Sequence, residues 1–136
     1  MIGSLQISLS GLRAAETRVT VAANNVANSG SAGHTVKGAA EAGDAAISPY
    51  QAMATATTSN SDGGVTVQAI PTDADPIHVF SPGNRLADSE GLVAFPNVSL
   101  TEQLMEVKLA TQSYEANVSV INAQSEMLGT LLDSFS

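Results

Sequence analysis

Cysteine and tryptophan are absent from the 136 residues, and aromatic residues, three Phe and two Tyr, make up only 4%. Without cysteine there is neither a disulfide framework nor a thiolate metal site, and the chain is compatible with an oxidising compartment. The apolar share is 43%, but much of it is Ala, which removes little area from water per residue and so supports helices with a modest core. Basic residues are also few. Five Lys and Arg against thirteen Asp and Glu give a formal charge of −8, which argues against nucleic acid or an anionic membrane as a partner. No apolar run is long enough to span a bilayer, so no insertion into lipid is expected. Met1 to Gln6 lack the basic start and apolar core of a cleavable signal, which predicts a cytosolic protein or one exported by a route that reads no classical signal.

What is present is periodicity at the two ends. From Leu100 the apolar residues fall at steps of four and three: Leu100, Leu104, Val107, Tyr114, Val118, Ile121, Leu128, Leu132 and Phe135, with Thr111 and Ser125 as the breaks. Such a strict heptad predicts a coiled-coil seam. Ser99 followed by Glu102 is a capping-box pair that specifies the helix start. A helix over 99–134 is roughly 50 Å long at ~1.5 Å per residue, too long for the small domain this chain can form alone. The seam therefore predicts a partner.

Ile2, Leu5, Leu9, Leu12, Val19, Ala23 and Val26 repeat the same spacing near the start, with Glu16 as the break. A helix is expected over about 3–27, stopped at Asn28-Ser29-Gly30, where Asn and Gly tolerate a left-handed C-cap. Residues 97–136 carry five acids and one Lys, whereas 1–28 carry two Arg and one Glu. Opposite signs on the arms favour head-to-tail contact between unlike helices, which gives a helical filament when it does not close.

Between the arms, residues 29–64 are rich in Gly, Ala, Ser and Thr. They read as a flexible loop or as one ordered only within an assembly, ending in a turn at Asp62-Gly63-Gly64. Residues 65–96 read as a small β module: Val65 to Ile70 alternate, Ile77 to Phe80 form a second short strand, and Leu92 to Phe95 offer a third. The expected fold is mainly α with a small β part, its long terminal helices (1–28 and 97–136) pairing as a coiled coil around the flexible loop and β module.

No arrangement for covalent chemistry is visible. The chain has no Gly-x-Ser-x-Gly elbow, and His34 and His78 lack an orienting partner. Asp73 and Asp75 lack the further oxygen ligands of a calcium loop, and Glu102 and Glu106 one turn apart read as a solvated face. No enzyme, cofactor or metal site is expected.

Ala23-Asn24-Asn25-Val26-Ala27-Asn28 resembles the N-terminal signature of bacterial flagellar rod and hook proteins. Ser81 to Asp88, Glu90 to Val93, Pro96-Asn97-Val98 and Ser113 to Val118 resemble, in the same order, the short proximal-rod members of that family. The resemblance covers residues 1–28 and about 63–136. It implies a structural subunit of the basal-body rod, the hollow drive shaft that transmits torque and lets export substrates pass. It also implies that the terminal helices line the channel, the β part sits outside, and the protein leaves through the flagellar type III apparatus without a cleaved signal, to assemble in the periplasm. The partners implied are other rod subunits and copies of the chain, with the membrane-ring and export-gate junction and the ring complexes beside them. On this reading Asn24, Asn25 and Asn28 cap the helix and bond across subunits, and Asn117 joins the apolar seam positions at the interface. His34 to Ala46 depart from the aromatic or basic-aromatic pattern usual in the family, which leaves that loop open. The alternatives are another rod or hook subunit, or a cytosolic coiled-coil adaptor.

Overall fold

A computed structural model describes residues 2–134, less the side chains of Ile2 and Leu132; Phe135 and those two seam side chains therefore lie outside the described residues. The chain runs α1 (Ile2–Asn28), α2 (Val36–Ala42), a 3-10 turn (Gly43–Ala45), β1 (Met53–Ser59), β2 (Val65–Pro71), β3 (Ile77–Phe80), β4 (Leu92–Phe95) and α3 (Leu100–Ser134). Mainly helical, with long terminal helices and a small β part between, the architecture is the one the periodicity predicts.

Both long helices start and stop close to their expected bounds, but α1 ends by a different device. No residue near Asn28 takes a left-handed conformation; among the described residues positive φ is confined to Gly43, Gly63, Gly64 and Gly91. Instead Asn28 Nδ2 donates to Asn24 O at 2.9 Å and Ser29 Oγ donates to Val26 O at 2.9 Å, so side chains satisfy the last carbonyls. At the start of α3, Ser99 Oγ accepts from the Glu102 N–H at 3.4 Å, the capping contact expected there.

The middle differs from the flexible loop expected over 29–64, which contains α2, the 3-10 turn and all of β1. Its small residues bury little surface; polar contacts to residues 88–90 hold α2, and pairing with β2 holds β1. The strands also pair differently from one continuous module. β1 pairs antiparallel with β2 from Met53↔Pro71 to Ser59↔Val65, closing through the Asp62-Gly63-Gly64 turn. β3 pairs with β4, Ile77 opposite Phe95, in a separate two-stranded sheet. The first hairpin lies along α1, where Ser10 Oγ accepts from the Val65 N–H at 3.1 Å and donates to Ile7 O at 2.7 Å.

α1 and α3 run antiparallel. Asn25 meets Gln103, Arg18 meets Glu106, and Gly11 meets Asn117. Among the described residues the buried apolar ones are Ala15, Val21, Ala22, Val93, Ala94 and Ala110. With four alanines among six, this core contributes little hydrophobic stabilisation for a chain of this length.

Candidate functional site

The surface of the helix pair is the candidate site, and two adjacent stripes on α1 define it. Ser8, Ala15, Ala22 and Asn25 are buried, and together with Ser4, Gly11 and Arg18 they follow steps of four and three. This stripe of small and polar residues faces α3, where Ala110 is buried and Gln103, Glu106, Ser113, Asn117 and Gln124 are half-buried. Small side chains let two helix axes approach closely. The large apolar stripe lies one position further along α1 and is only partly covered by α3.

The predicted interface residues therefore fall into distinct settings. Leu5, Leu12 and Val19 on α1, and Val107, Val118 and Ile121 on α3, are half-buried along one flank of the pair. Between the helices on that flank runs a groove of about 350 Å³, lined by Ala15, Glu16, Val19, Thr20, Thr111 and Tyr114. Glu16 and Thr111, two of the three breaks in the heptads, line this same groove. Leu9, Leu100, Leu104, Tyr114 and Leu128 are exposed, and Met105 and Leu109, which the heptad does not include, are exposed beside them. Asn117 is half-buried, its Nδ2 donating to Ser113 O at 2.8 Å.

The three asparagines of the N-terminal motif separate as well. Asn24 is exposed. Asn28 makes the local cap described above. Asn25 is 1% exposed and sits where three elements converge. Its Nδ2 donates to Met53 O at 2.7 Å and to Gln103 Oε1 at 2.9 Å, while its Oδ1 accepts from Met53 N–H at 2.9 Å and Tyr50 OH at 3.1 Å. Every polar atom of that amide is used inside one chain, so within the subunit Asn25 fastens α1 to β1 and α3. An asparagine on the inner stripe, one heptad step beyond Ala22, is the sequence signal for this role.

Arg18 Nε lies 3.2 Å from Glu106 Oε1 between the helices. The alignment is too poor for a hydrogen bond, so the contact is Coulombic, and with both side chains about one-third exposed it contributes little net stability. A groove of about 640 Å³ beside it is lined by polar residues including Thr72, Asn97, Ser99 and Glu102. Among the described residues no cluster of His, Asp or Glu has the arrangement of a metal site, and no helix is long and apolar enough to cross a membrane.

The family model of the flagellar basal body rod FlgEFG protein C-terminal region matches residues 89–134, which span β4 and α3. Across nearly the whole chain there is similarity to proteins named flagellar basal-body rod protein FlgC. The Yersinia enterocolitica protein is 37% identical over 96% of this chain and 96% of its own length. The Salmonella typhimurium protein is 35% identical over the same shares of both chains. The Agrobacterium fabrum protein is 31% identical over 94% of this chain and 90% of its own.

Proposed function

Because this chain belongs to the FlgC family of flagellar basal-body rod proteins, we propose that its two long helices build the rod by packing their open apolar flank against helices of neighbouring subunits. The chain is a structural subunit of the basal-body rod, not an enzyme, and it assembles with other rod subunits. The finer reading places it in the proximal rod, near the junction with the membrane ring and export gate and beside the ring complexes. There its helices line the channel and its β part faces outward. Residues 1–28 and 97–136 are then the axial helices, 29–64 the connecting segment and 65–96 the β module.

One observation carries the assembly reading. The residues that join α1 to α3 are small and polar, while Leu104 is 63% exposed, Met105 62% and Leu109 52%. Apolar residues at helical spacing, left open along one element, mark a protein contact. The charge pattern supports a head-to-tail arrangement, since the acidic α3 of one copy suits the more basic α1 of another.

The test is complementation. A strain lacking the gene should lose rod and hook beyond the membrane ring, seen in isolated basal bodies by electron microscopy, and should lose motility. The wild-type gene should restore both, and Leu104→Glu with Leu109→Glu should restore neither, although the purified variant keeps its far-ultraviolet circular dichroism. Rotating flagella in the doubly substituted strain would remove these residues from the interface.

A further inference from the structure

Residues 34–47 form a strap that polar contacts, rather than apolar packing, hold in place. Gly38 is the one buried residue of α2, and Val36 at its start is 89% exposed. On one side the strap is tied to the turn before β4. Thr35 Oγ1 donates to Asp88 Oδ2 at 2.6 Å and, as N-cap of α2, accepts from the Gly38 N–H at 3.0 Å. Lys37 Nζ lies 2.8 Å from Glu90 Oε1, and Glu41 accepts from Ser89 Oγ at 2.7 Å and from Ser89 N–H at 3.1 Å.

The strap closes on itself through His34. His34 N–H donates to Ile47 O at 2.7 Å, and the Ile47 N–H donates back to His34 Nδ1 at 2.9 Å. Position 33 is glycine because the returning backbone at Ile47 to Pro49 crosses where a Cβ would stand. Gly33 in turn exchanges two backbone hydrogen bonds with Ala94 of β4, at 2.8 and 3.0 Å.

An amide N–H can only donate, so His34 Nδ1 must present its lone pair. The closed strap thus requires the neutral imidazole with its proton on Nε2. Imidazole is the side chain that changes charge between pH 5 and 8. Protonation turns Nδ1 into a donor facing the Ile47 N–H, which removes one hydrogen bond and sets two donors against each other.

We infer that the pair of His34 Nδ1 and Ile47 N–H is a pH-sensitive latch: the strap over residues 34–47 is closed near neutral pH and loosens when His34 gains a proton. The cavity beneath, about 400 Å³, is lined by two further titratable residues, Asp75 from the β2–β3 connection and His78 from β3, along with Ala94 of β4. Lys37, Glu41 and Asp44 carry the remaining charge on the strap. Opening uncovers the Ala94 side of β4, a surface that the closed subunit hides.

Amide hydrogen exchange on the full chain at pH 7.5 and pH 5.5, corrected for the intrinsic pH dependence, tests the latch. Protection at Ile47 should fall by roughly fivefold or more at the lower pH, the factor expected for one lost hydrogen bond, while β1 and β2 keep theirs. His34→Asn places a non-titrating acceptor near Nδ1 and should abolish the fall; His78→Gln should retain it. In the wild type, the imidazole ¹⁵N shifts of His34 should report the Nε2–H form at pH 7.5, which checks the latch independently of any variant's folding. Equal protection at both pH values, a fall that persists in His34→Asn, a fall shared by β1 and β2, or the Nδ1–H form at pH 7.5 would each overturn it.

Discussion

Gly11 of α1 lies against the side-chain amide of Asn117 on α3, so closely that a Cβ at position 11 would stand 2.6 Å from Nδ2 and 2.7 Å from Oδ1. The contact sits on the inner stripe, between Ser8 and Ala15, where the helices approach each other through small groups. Glycine is here for the space, at a cost in helix propensity of about 1 kcal/mol relative to alanine.

A double-mutant cycle measures that relationship. Gly11→Ala in the wild type gains the propensity but displaces the Asn117 amide from Ser113 O, a hydrogen bond worth about 1 kcal/mol, so the two effects nearly cancel. In an Asn117→Ala background the same change should stabilise by about 0.5–1 kcal/mol. Gly11→Val should destabilise by about 1–3 kcal/mol through overpacking. Urea unfolding of the full chain reads all four states, and equal effects of Gly11→Ala in both backgrounds would show that the contact does not matter.

Asn24 and Asn25 are neighbours in sequence with opposite consequences. Asn25→Ala strands the Met53 amide and carbonyl, the Tyr50 hydroxyl and the Gln103 amide at a buried junction, and should cost about 2–4 kcal/mol. Asn24→Ala, on the exposed side, should stay within about 0.5 kcal/mol. Thermal unfolding of the two variants decides this; similar melting temperatures would deny Asn25 its role as the junction of α1, β1 and α3.

How far the sequence reveals this fold depends on side-chain size. The long helices are legible because Leu, Val and Ile mark their period so clearly that α1 and α3 begin and end near the expected residues. The same bulk misdirects attention from the inner stripe, because Ser8, Gly11, Ala15 and Ala22 have the right spacing but no hydrophobic weight. α2 is invisible for a related reason. It is held by Thr35, Lys37 and Glu41 reaching residues about fifty positions away, and no local pattern encodes such pairings. Alternation reveals β2, but nothing within Val65–Ile70 says that its partner precedes it. Asn25 was legible as part of a motif, whereas its four intramolecular bonds needed the three converging elements.

Asp88 sets a second pH limit on the strap, distinct from that of His34. The Thr35 hydroxyl first, then the Leu92 amide, hold its carboxyl below the usual carboxylate value against the opposing effect of burial. A folded-state value depressed in this way adds stability that is fully present above the unfolded carboxylate range, near ~4, and is lost as pH falls through the folded value. The carboxylate fastening therefore survives at pH 5.5, the lower pH of the latch experiment. Thr35→Val should raise the pH at which Asp88 titrates toward the ordinary value, followed by the ¹³C shift of its carboxyl, and Thr35→Ser should leave it low. An unchanged titration in Thr35→Val would mean that the hydroxyl is not what holds the carboxylate.

The register of the helix pair predicts where α3 runs out of support. Gln103 lies opposite Asn25 and Asn117 opposite Gly11, so the start of α1 falls near residue 126 of α3. Beyond it Met127, Leu128 and Leu131 are exposed on a helix that continues to Ser134. A helical end of about two turns whose described apolar side chains are exposed is marginal in water. Amides over 127–134 should therefore exchange rapidly in the dilute full chain, while those over 103–117, backed by the inner stripe, exchange slowly. In isolated basal bodies the same end should become protected, because a neighbouring helix then covers the apolar residues that the subunit leaves open. Slow exchange over 127–134 in the dilute protein would show that this end needs no neighbour, and the overhang would lose its place among the contacts that build the rod.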